Sequence, residues 1–315
     1  MGGFQHRPVM SREVIELLAE VPTGTVVDAT VGGGGHARQL LRARPDLRLL
    51  GIDRDPAAVA AARVALEPFG DRAQVVHGGF EDVAGIVEQA TEGNVMGILF
   101  DLGVSSPQLD LPERGFTYWG DAPLDMRMDS AQSLTAEQVV NEYSQEALAD
   151  VLAHNGDERF ARSIAARVVA HRPLHTTADL VLAVKEGIPA RSRRRGGHPA
   201  RRTFQAIRME VNRELPNLAA GLDESVHLVG PGGRVLVLAY HSLEDRAVKE
   251  RFTEWAGREE SQPPGLPVEP TRTHALVRLL TRRPLRPQPD EVAENPRSES
   301  ARLRAVEKLP SPSGP

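Results

Sequence analysis

Thr25-Val-Val-Asp-Ala-Thr-Val-Gly-Gly-Gly-Gly-His36 joins a β-branched run to a glycine turn, and the amphipathic stretch His36–Ala43 follows. The apolar run reads as a strand over Thr25–Asp28, and the stretch after the glycines as a helix with Leu40 and Leu41 turned inward. Glycines at such a junction let the backbone approach a ligand closely. The helix start adds free N–H groups and the positive end of its dipole. The next strand, Arg48–Asp53, ends in an acid placed to accept hydrogen bonds from ribose hydroxyls. Turn and acid together predict an adenosine-bearing ligand at the carboxyl edge of a sheet.

The same sentence repeats outward from this point. Asp55-Pro56 opens an alanine-rich helix, Ala73–His77 reads as a third strand, a helix lies around Glu81–Ala90, and Val95–Phe100 reads as a fourth strand. Alternating units with apolar strands imply an α/β fold whose doubly wound parallel sheet is covered on both faces. After Asp101 the pattern breaks. Residues 103–133 form a long irregular segment, a candidate for function. From Thr135 to about Val229 the periodicity is helical, beginning with the capping box Thr135–Gln138. Strand character returns at Arg234–Tyr240 after the turn Gly230-Pro-Gly-Gly233. The predicted organisation is a sheet domain (1–104), an inserted helical substrate-recognition domain (105–214), and the rest of the sheet domain (215–315). Residues 282–300, rich in Pro, Arg and Glu, read as an extended tail.

Composition narrows the chemistry. The 315 residues contain no cysteine, which removes thiolate metal sites and thiol nucleophiles. A net charge of −5 argues against a chain that coats nucleic acid nonspecifically. No apolar run is long enough for a membrane span and the N-terminus lacks a signal-peptide layout, so no membrane association and a cytoplasmic location are expected. Only Lys185, Lys249 and Lys308 among the 38 basic residues are lysines, so the placement of the arginines is what can inform.

A nicotinamide-dependent oxidoreductase competes for the glycine turn, since Gly32-x-Gly34 begins a dinucleotide fingerprint. Asp28 at the end of the first strand counts against it. An acid there repels a pyrophosphate and suits the methionine ammonium of S-adenosylmethionine. The segment Phe100-Asp-Leu-Gly-Val-Ser-Ser-Pro-Gln108 leaves the fourth strand at the ligand edge. A conjugated exocyclic amine is a poor nucleophile, so acceptors must hold its N–H bonds and aim its lone pair at the methyl group. Asp101 and the carbonyls around Ser105-Ser106-Pro107 are candidates. Methylation at pyrimidine carbon 5 normally needs a thiolate, whereas transfer to nitrogen or oxygen does not, so for a pyrimidine base the amino nitrogen is the expected acceptor.

These residues resemble a known family, the bacterial small-subunit ribosomal RNA cytosine-N4-methyltransferases. The matching segments are His6-Arg-Pro-Val9 with Glu13, Asp28–His36, Gly51–Pro56, Asp101–Asp110, Arg114-Gly-Phe116, Pro123–Asp129, His198-Pro199, Arg202–Ala206, His241–Arg246 and Asn295-Pro-Arg297. The resemblance implies a class I, Rossmann-like methyltransferase domain with an inserted helical domain. It implies transfer from S-adenosylmethionine to N4 of a cytidine in the decoding region of 16S rRNA, within the small ribosomal subunit. It places cofactor contacts on Gly34, Gly35, His36, Asp53, Phe80, Asp101 and Gln108, with Phe80 against the adenine. Arg201, Ala239-Tyr240 and Glu299 depart from the usual pattern at positions outside this cofactor set.

Arg191–Arg202 carries six arginines in twelve residues, interrupted by glycines. Phosphate binding by Arg193, Arg194, Arg195 and Arg202 is expected, against the alternative of a merely solvated charge run. Ser242–Asp245 reads as a helix cap, and His241 is assigned no catalytic role. Asp125 and Asp129 read as turn formers, and no metal is assigned. A noncatalytic ribosome-assembly factor is the remaining alternative, separable by labelled-methyl transfer.

Overall fold

The computed structural model describes residues 8–91, 93–193, 198–257 and 275–310. Seven strands form one sheet: β1 (Thr25–Asp28), β2 (Arg48–Asp53), β3 (Ala73–His77), β4 (Val95–Asp101), β5 (Val229–Ala239), β6 (Val277–Leu279) and β7 (Arg302–Lys308). Their order is β3-β2-β1-β4-β5-β7-β6, with β7 antiparallel to both of its neighbours and the pairs from β3 to β5 parallel. This is a Rossmann-like order, reversing at β1 and β4, the switch point at which sheets of this order bind ligands beyond the carboxyl ends of their strands. Successive strand residues alternate between two apolar layers. Val26, Leu49, Leu99, Leu236 and Leu238 join one core, while Val27, Leu50, Ile98, Val235 and Val237 join the other. Each such buried side chain contributes about 1.5–3 kcal/mol of transfer free energy, which is why both faces of these strands are apolar.

Two compact units divide the chain, Met1–Gly103 with Pro216–Pro315, and Val104–Leu215. The second has a core of its own, built on helices Ala136–Glu142, Gln145–Gly156, Ala161–Ala170, Thr177–Gly187 and Arg201–Asn212. Thr135 and Thr176 start two of these helices with reciprocal capping boxes to Gln138 and Asp179. Part of the irregular segment 103–133 is core rather than a functional loop, because Leu124, Met126 and Met128 are buried. The buried Asn212 amide holds that stretch: Nδ2 donates to the Met126 carbonyl at 2.8 Å and Oδ1 accepts from Met128 N–H at 2.8 Å. Asp125 forms a two-pronged pair with Arg127 (2.9 and 2.8 Å).

Three local readings need correction. Residues 282–300 are not an extended tail: Pro289–Glu294 is helical, Pro296–Ser300 forms a 3₁₀ turn, and Glu291 accepts from Met10 N–H at 2.6 Å. The prolines here start helical turns, where a missing N–H costs nothing. The turn Gly230–Gly233 lies inside β5, where the register against β4 jumps from Val95↔Val229 to Gly97↔Arg234. The cap of helix Ser242–Trp255 is His241, whose Nδ1 accepts from Glu244 N–H at 3.4 Å, rather than Ser242. Among the described residues no helix is long and apolar enough to cross a membrane.

Candidate active site

The carboxyl ends of β1, β2 and β4 bring Asp28, Asp53 and Asp101 to one edge of the first unit. Between β1 and the helix Gly35–Ala43, Gly32 (φ +51°) and Gly34 (φ +77°) take left-handed conformations that disfavour any side chain. Gly34→Ala is expected to cost about 1–2 kcal/mol from this backbone alone. A Cβ there would also press to 3.4 Å from Ala65 and Leu66. Thermal unfolding of the variant measures the loss.

Asp53 closes the turn from the next strand. Its Oδ2 accepts Gly32 N–H and its Oδ1 accepts Asp55 N–H, each at 2.9 Å, leaving a second lone pair on both oxygens. Burial raises its pKa, partly offset by these N–H donors. Phe80 sits in the 3₁₀ turn after β3, edge-on to Phe100 at 5.7 Å, with the Arg54 guanidinium 5.8 Å over its ring.

Asp101 is held from three directions. Its N–H donates to Thr30 Oγ1 at 2.6 Å, and its Oδ1 accepts the hydroxyl of the half-buried Tyr240 at 2.8 Å. Its Oδ2 lies 3.4 Å from His36 Nε2. That approach allows charge attraction without hydrogen-bond alignment, so both buried His36 ring nitrogens lack a hydrogen-bond partner among the described residues. Burial lowers the affinity of His36 for a proton, but Asp101 and Asp28 outweigh it and its pKa is raised. Burial likewise pushes Tyr240 well above the ordinary phenol value, with Asp101 adding to the shift. Asp28, 2% exposed, is raised to about 7, chiefly by burial; His36 opposes the rise, while Asp101 and Asp53 add to it.

Orphaned imidazole nitrogens and crowded carboxylates are what a bound cation with hydrogen-bonding groups would relieve. S-Adenosylmethionine has that character. Its ammonium matches Asp28, and its ribose hydroxyls match the free lone pairs of Asp53. The residues therefore fit this cofactor.

The first unit thus gathers Gly34, Gly35, His36, Asp53, Phe80 and Asp101. Ser105 and Gln108 belong to the second. There Ser105 N–H donates to Gln108 Oε1 at 3.0 Å and Gln108 N–H to Ser105 Oγ at 3.4 Å, a capping box for the short helix Ser106–Asp110. The side chains of Ser106 and Pro107 lie outside the described residues, as do Arg194 and Arg195. Arg193 donates to the Ile188 carbonyl at 2.8 Å, and the exposed Arg202 to the Asp157 carbonyl at 2.9 Å. Thr30 and Tyr240, which hold Asp101, are candidate positions that sequence reasoning missed. Tyr240 stands outside the cofactor set that the resemblance implies, yet its hydroxyl bonds directly to Asp101. Its position at the end of an interior strand was the available signal.

Residues 3–309 match the model of the MraW methylase family. The chain belongs to this family. Among its relatives, Ribosomal RNA small subunit methyltransferase H of Symbiobacterium thermophilum is 50% identical over 310 residues, covering 97% of each chain. The protein of the same name from Thermobifida fusca is 49% identical over 313 residues, covering 98% of this chain and 94% of its own. Family membership accounts for the Rossmann-like methyltransferase fold.

Proposed function

We propose that this protein transfers the methyl group of S-adenosylmethionine to the exocyclic N4 amine of a cytidine in the decoding region of 16S rRNA, acting in the cytoplasm on the small ribosomal subunit. The observation that carries the reading is Asp101. It is a carboxylate fixed by Thr30 and Tyr240 at the end of β4, beside a glycine turn and an acid suited to a nucleoside. Full-length relatives named for small-subunit rRNA methylation support the substrate class.

S-Adenosylmethionine, when bound, supplies an electrophilic methyl on a sulfonium. Asp53 would hold the ribose hydroxyls, Phe80 the adenine and Asp28 the ammonium. Asp101 accepts an N–H of the cytosine amine, which turns the nitrogen lone pair toward the methyl group and offsets positive charge as the N–C bond forms. The alkylated nitrogen then releases its proton to water, so no general base is required. Catalysis is positioning plus electrostatics, consistent with a chain that has no cysteine to add to the ring.

Nucleoside mass spectrometry tests this. Small subunits lacking the modification, incubated with protein and S-adenosylmethionine, are expected to gain N4-methylcytidine in 16S rRNA. An absence of new methyl groups, or a product methylated at carbon 5, refutes the assignment.

A further inference from the structure

The second unit carries a ladder of rings that its core packing does not require. Phe204, 3% exposed, belongs to the core and meets Tyr118 edge to face at 5.8 Å. Tyr118 stacks flat on His198, at 4.5 Å and 9°, and lies 5.6 Å from Trp119. Trp119 also stands 4.8 Å from His198, and it remains 69% exposed. Aromatics are only 4% of this chain, and its other tryptophan, Trp255, is 6% exposed. The hydrophobic effect alone would bury a side chain of this size.

The ladder's outer rung is built to stay in place. Trp119 N–H donates to Thr117 Oγ1 at 3.1 Å. On the other side, the Thr177 hydroxyl donates to the Gly120 carbonyl at 3.3 Å and accepts from Ala122 N–H at 3.1 Å. Thr177 N–H returns a bond to the Ala122 carbonyl at 2.8 Å, and Thr177 itself is fully buried. Backbone held on both sides leaves little freedom to lose when a ligand settles on the indole.

One rung belongs to the arginine-rich segment. His198 lies within Arg191–Arg202, and its Nδ1 accepts Ala200 N–H at 3.3 Å, which puts the ring proton on Nε2. Burial, then Lys185, hold its pKa below the ordinary value, so at neutral pH it is an uncharged ring. Arg201 and Arg202, exposed at the start of the helix that follows His198, put positive charge on the same segment, and such charge together with an exposed flat π-face selects a polyanion with flat bases. Every base has a face to stack, and phosphates seek arginine.

We infer that the outer face of Trp119 is a stacking platform for one unpaired base of the RNA substrate, with Arg201 and Arg202, three and four residues beyond His198, taking phosphates. The inference rests on the rRNA reading above and adds to it a base contact within the second unit.

The test uses the full chain, small subunits lacking the modification, and a short single-stranded RNA of mixed sequence. Trp119→Ala is expected to weaken binding to both about tenfold, as loss of one base–aromatic stack does. Trp119→Phe should bind within about threefold of wild type. The slope of log Kd against log salt is expected to stay unchanged in Trp119→Ala, because stacking releases no counterions. The KM for subunits rises while kcat holds. RNA is expected to quench tryptophan fluorescence in wild type and not in Trp119→Phe, where only the buried Trp255 emits. Wild-type affinity in a Trp119→Ala protein that still methylates overturns the platform and leaves the methyl-transfer reading standing. A wild-type protein that neither binds RNA nor methylates overturns both. Quenching by an unrelated protein in place of RNA, with RNA inert, reassigns the platform to a protein partner and rejects the inference.

Discussion

Asp101→Asn is expected to lower kcat for methyl transfer by about a hundred- to a thousandfold, the usual cost of losing one preorganised electrostatic partner of the reacting group. The substitution is close to isosteric. An Asn side-chain oxygen still accepts the Tyr240 hydroxyl that now reaches Asp101 Oδ1 at 2.8 Å, and the backbone bond to Thr30 is untouched. What changes is the other arm. Oδ2, an anionic acceptor, becomes an amide donor, so an N–H of the protein would face the N–H of the substrate amine and the lone pair would lose its aim. Folding should change little, because Asp28 loses a like-charged neighbour and becomes easier to ionise while His36 loses the attraction that raises its pKa, and the two effects oppose. The expected pattern is therefore a collapsed kcat with a little-changed Tm, read from labelled-methyl incorporation into unmodified small subunits and from thermal unfolding. A kcat within threefold of wild type would take Asp101 out of the reaction.

The sheet was legible where physics acts locally. β1, β2 and β3 lie on the residues predicted for them: β1 and β2 are buried along most of their length and read as apolar runs between glycine, proline and acidic stops, while β3, an edge strand with only Val75 buried, shows in its β-branched pair Val75-Val76. β7 was missed for the converse reason. Arg302-Leu-Arg-Ala-Val-Glu-Lys308 alternates with charge and follows a proline-rich stretch, which looks like surface. Its Arg304 is nevertheless buried, because Nε donates to Asp245 at 2.7 Å, a partner 59 residues away. No local pattern reports such a pair. In the site, the glycine turn and Asp53 were visible from spacing, since one strand and one turn define their geometry. Tyr240 and Thr30 were not visible, because each acts on Asp101 from a strand or loop distant in sequence. The roles of His36, Phe80 and Gln108 came from family resemblance alone. For Gln108 the structure adds a local task, capping Ser105–Gln108, that its spacing from Ser105 would have allowed.

Asp28→Asn is expected to stabilise the free protein above pH 7 and to cripple its hold on the cofactor. Burial, opposed by His36 and reinforced by Asp101 and Asp53, raises the Asp28 pKa from 3.8 to about 7. A raised acid favours folding only while it keeps its proton. Its contribution is complete below the unfolded value, fades as the pH rises through the folded value, and is gone above about 7. With about 1.4 kcal/mol per pKa unit, the loss across that window is on the order of 4 kcal/mol. Asn carries no such charge and can still accept Thr30 N–H, which now bonds to Asp28 Oδ1 at 3.3 Å. Wild type and variant should therefore unfold at similar urea concentrations near pH 4, and the variant at higher urea at pH 8. His36, whose pKa is also raised, loses its own contribution only above its ordinary 6.5, and that contribution is smaller in the variant because Asp28 is one of the charges that raise it. Cofactor binding should show the opposite sign. An ammonium beside Asp28 ionises it, so binding releases a proton below about pH 7 and wild-type affinity climbs with pH, by up to tenfold per unit, before levelling off. Asp28→Asn should bind S-adenosylmethionine about a hundredfold more weakly at pH 8, with an affinity nearly flat in pH. Titration calorimetry in two buffers of different ionisation enthalpy resolves the proton. Equal affinities at pH 8, or a wild-type Kd constant from pH 5.5 to 8, would mean that the ammonium is met elsewhere and that Asp28 is a buried acid retained for the turn alone.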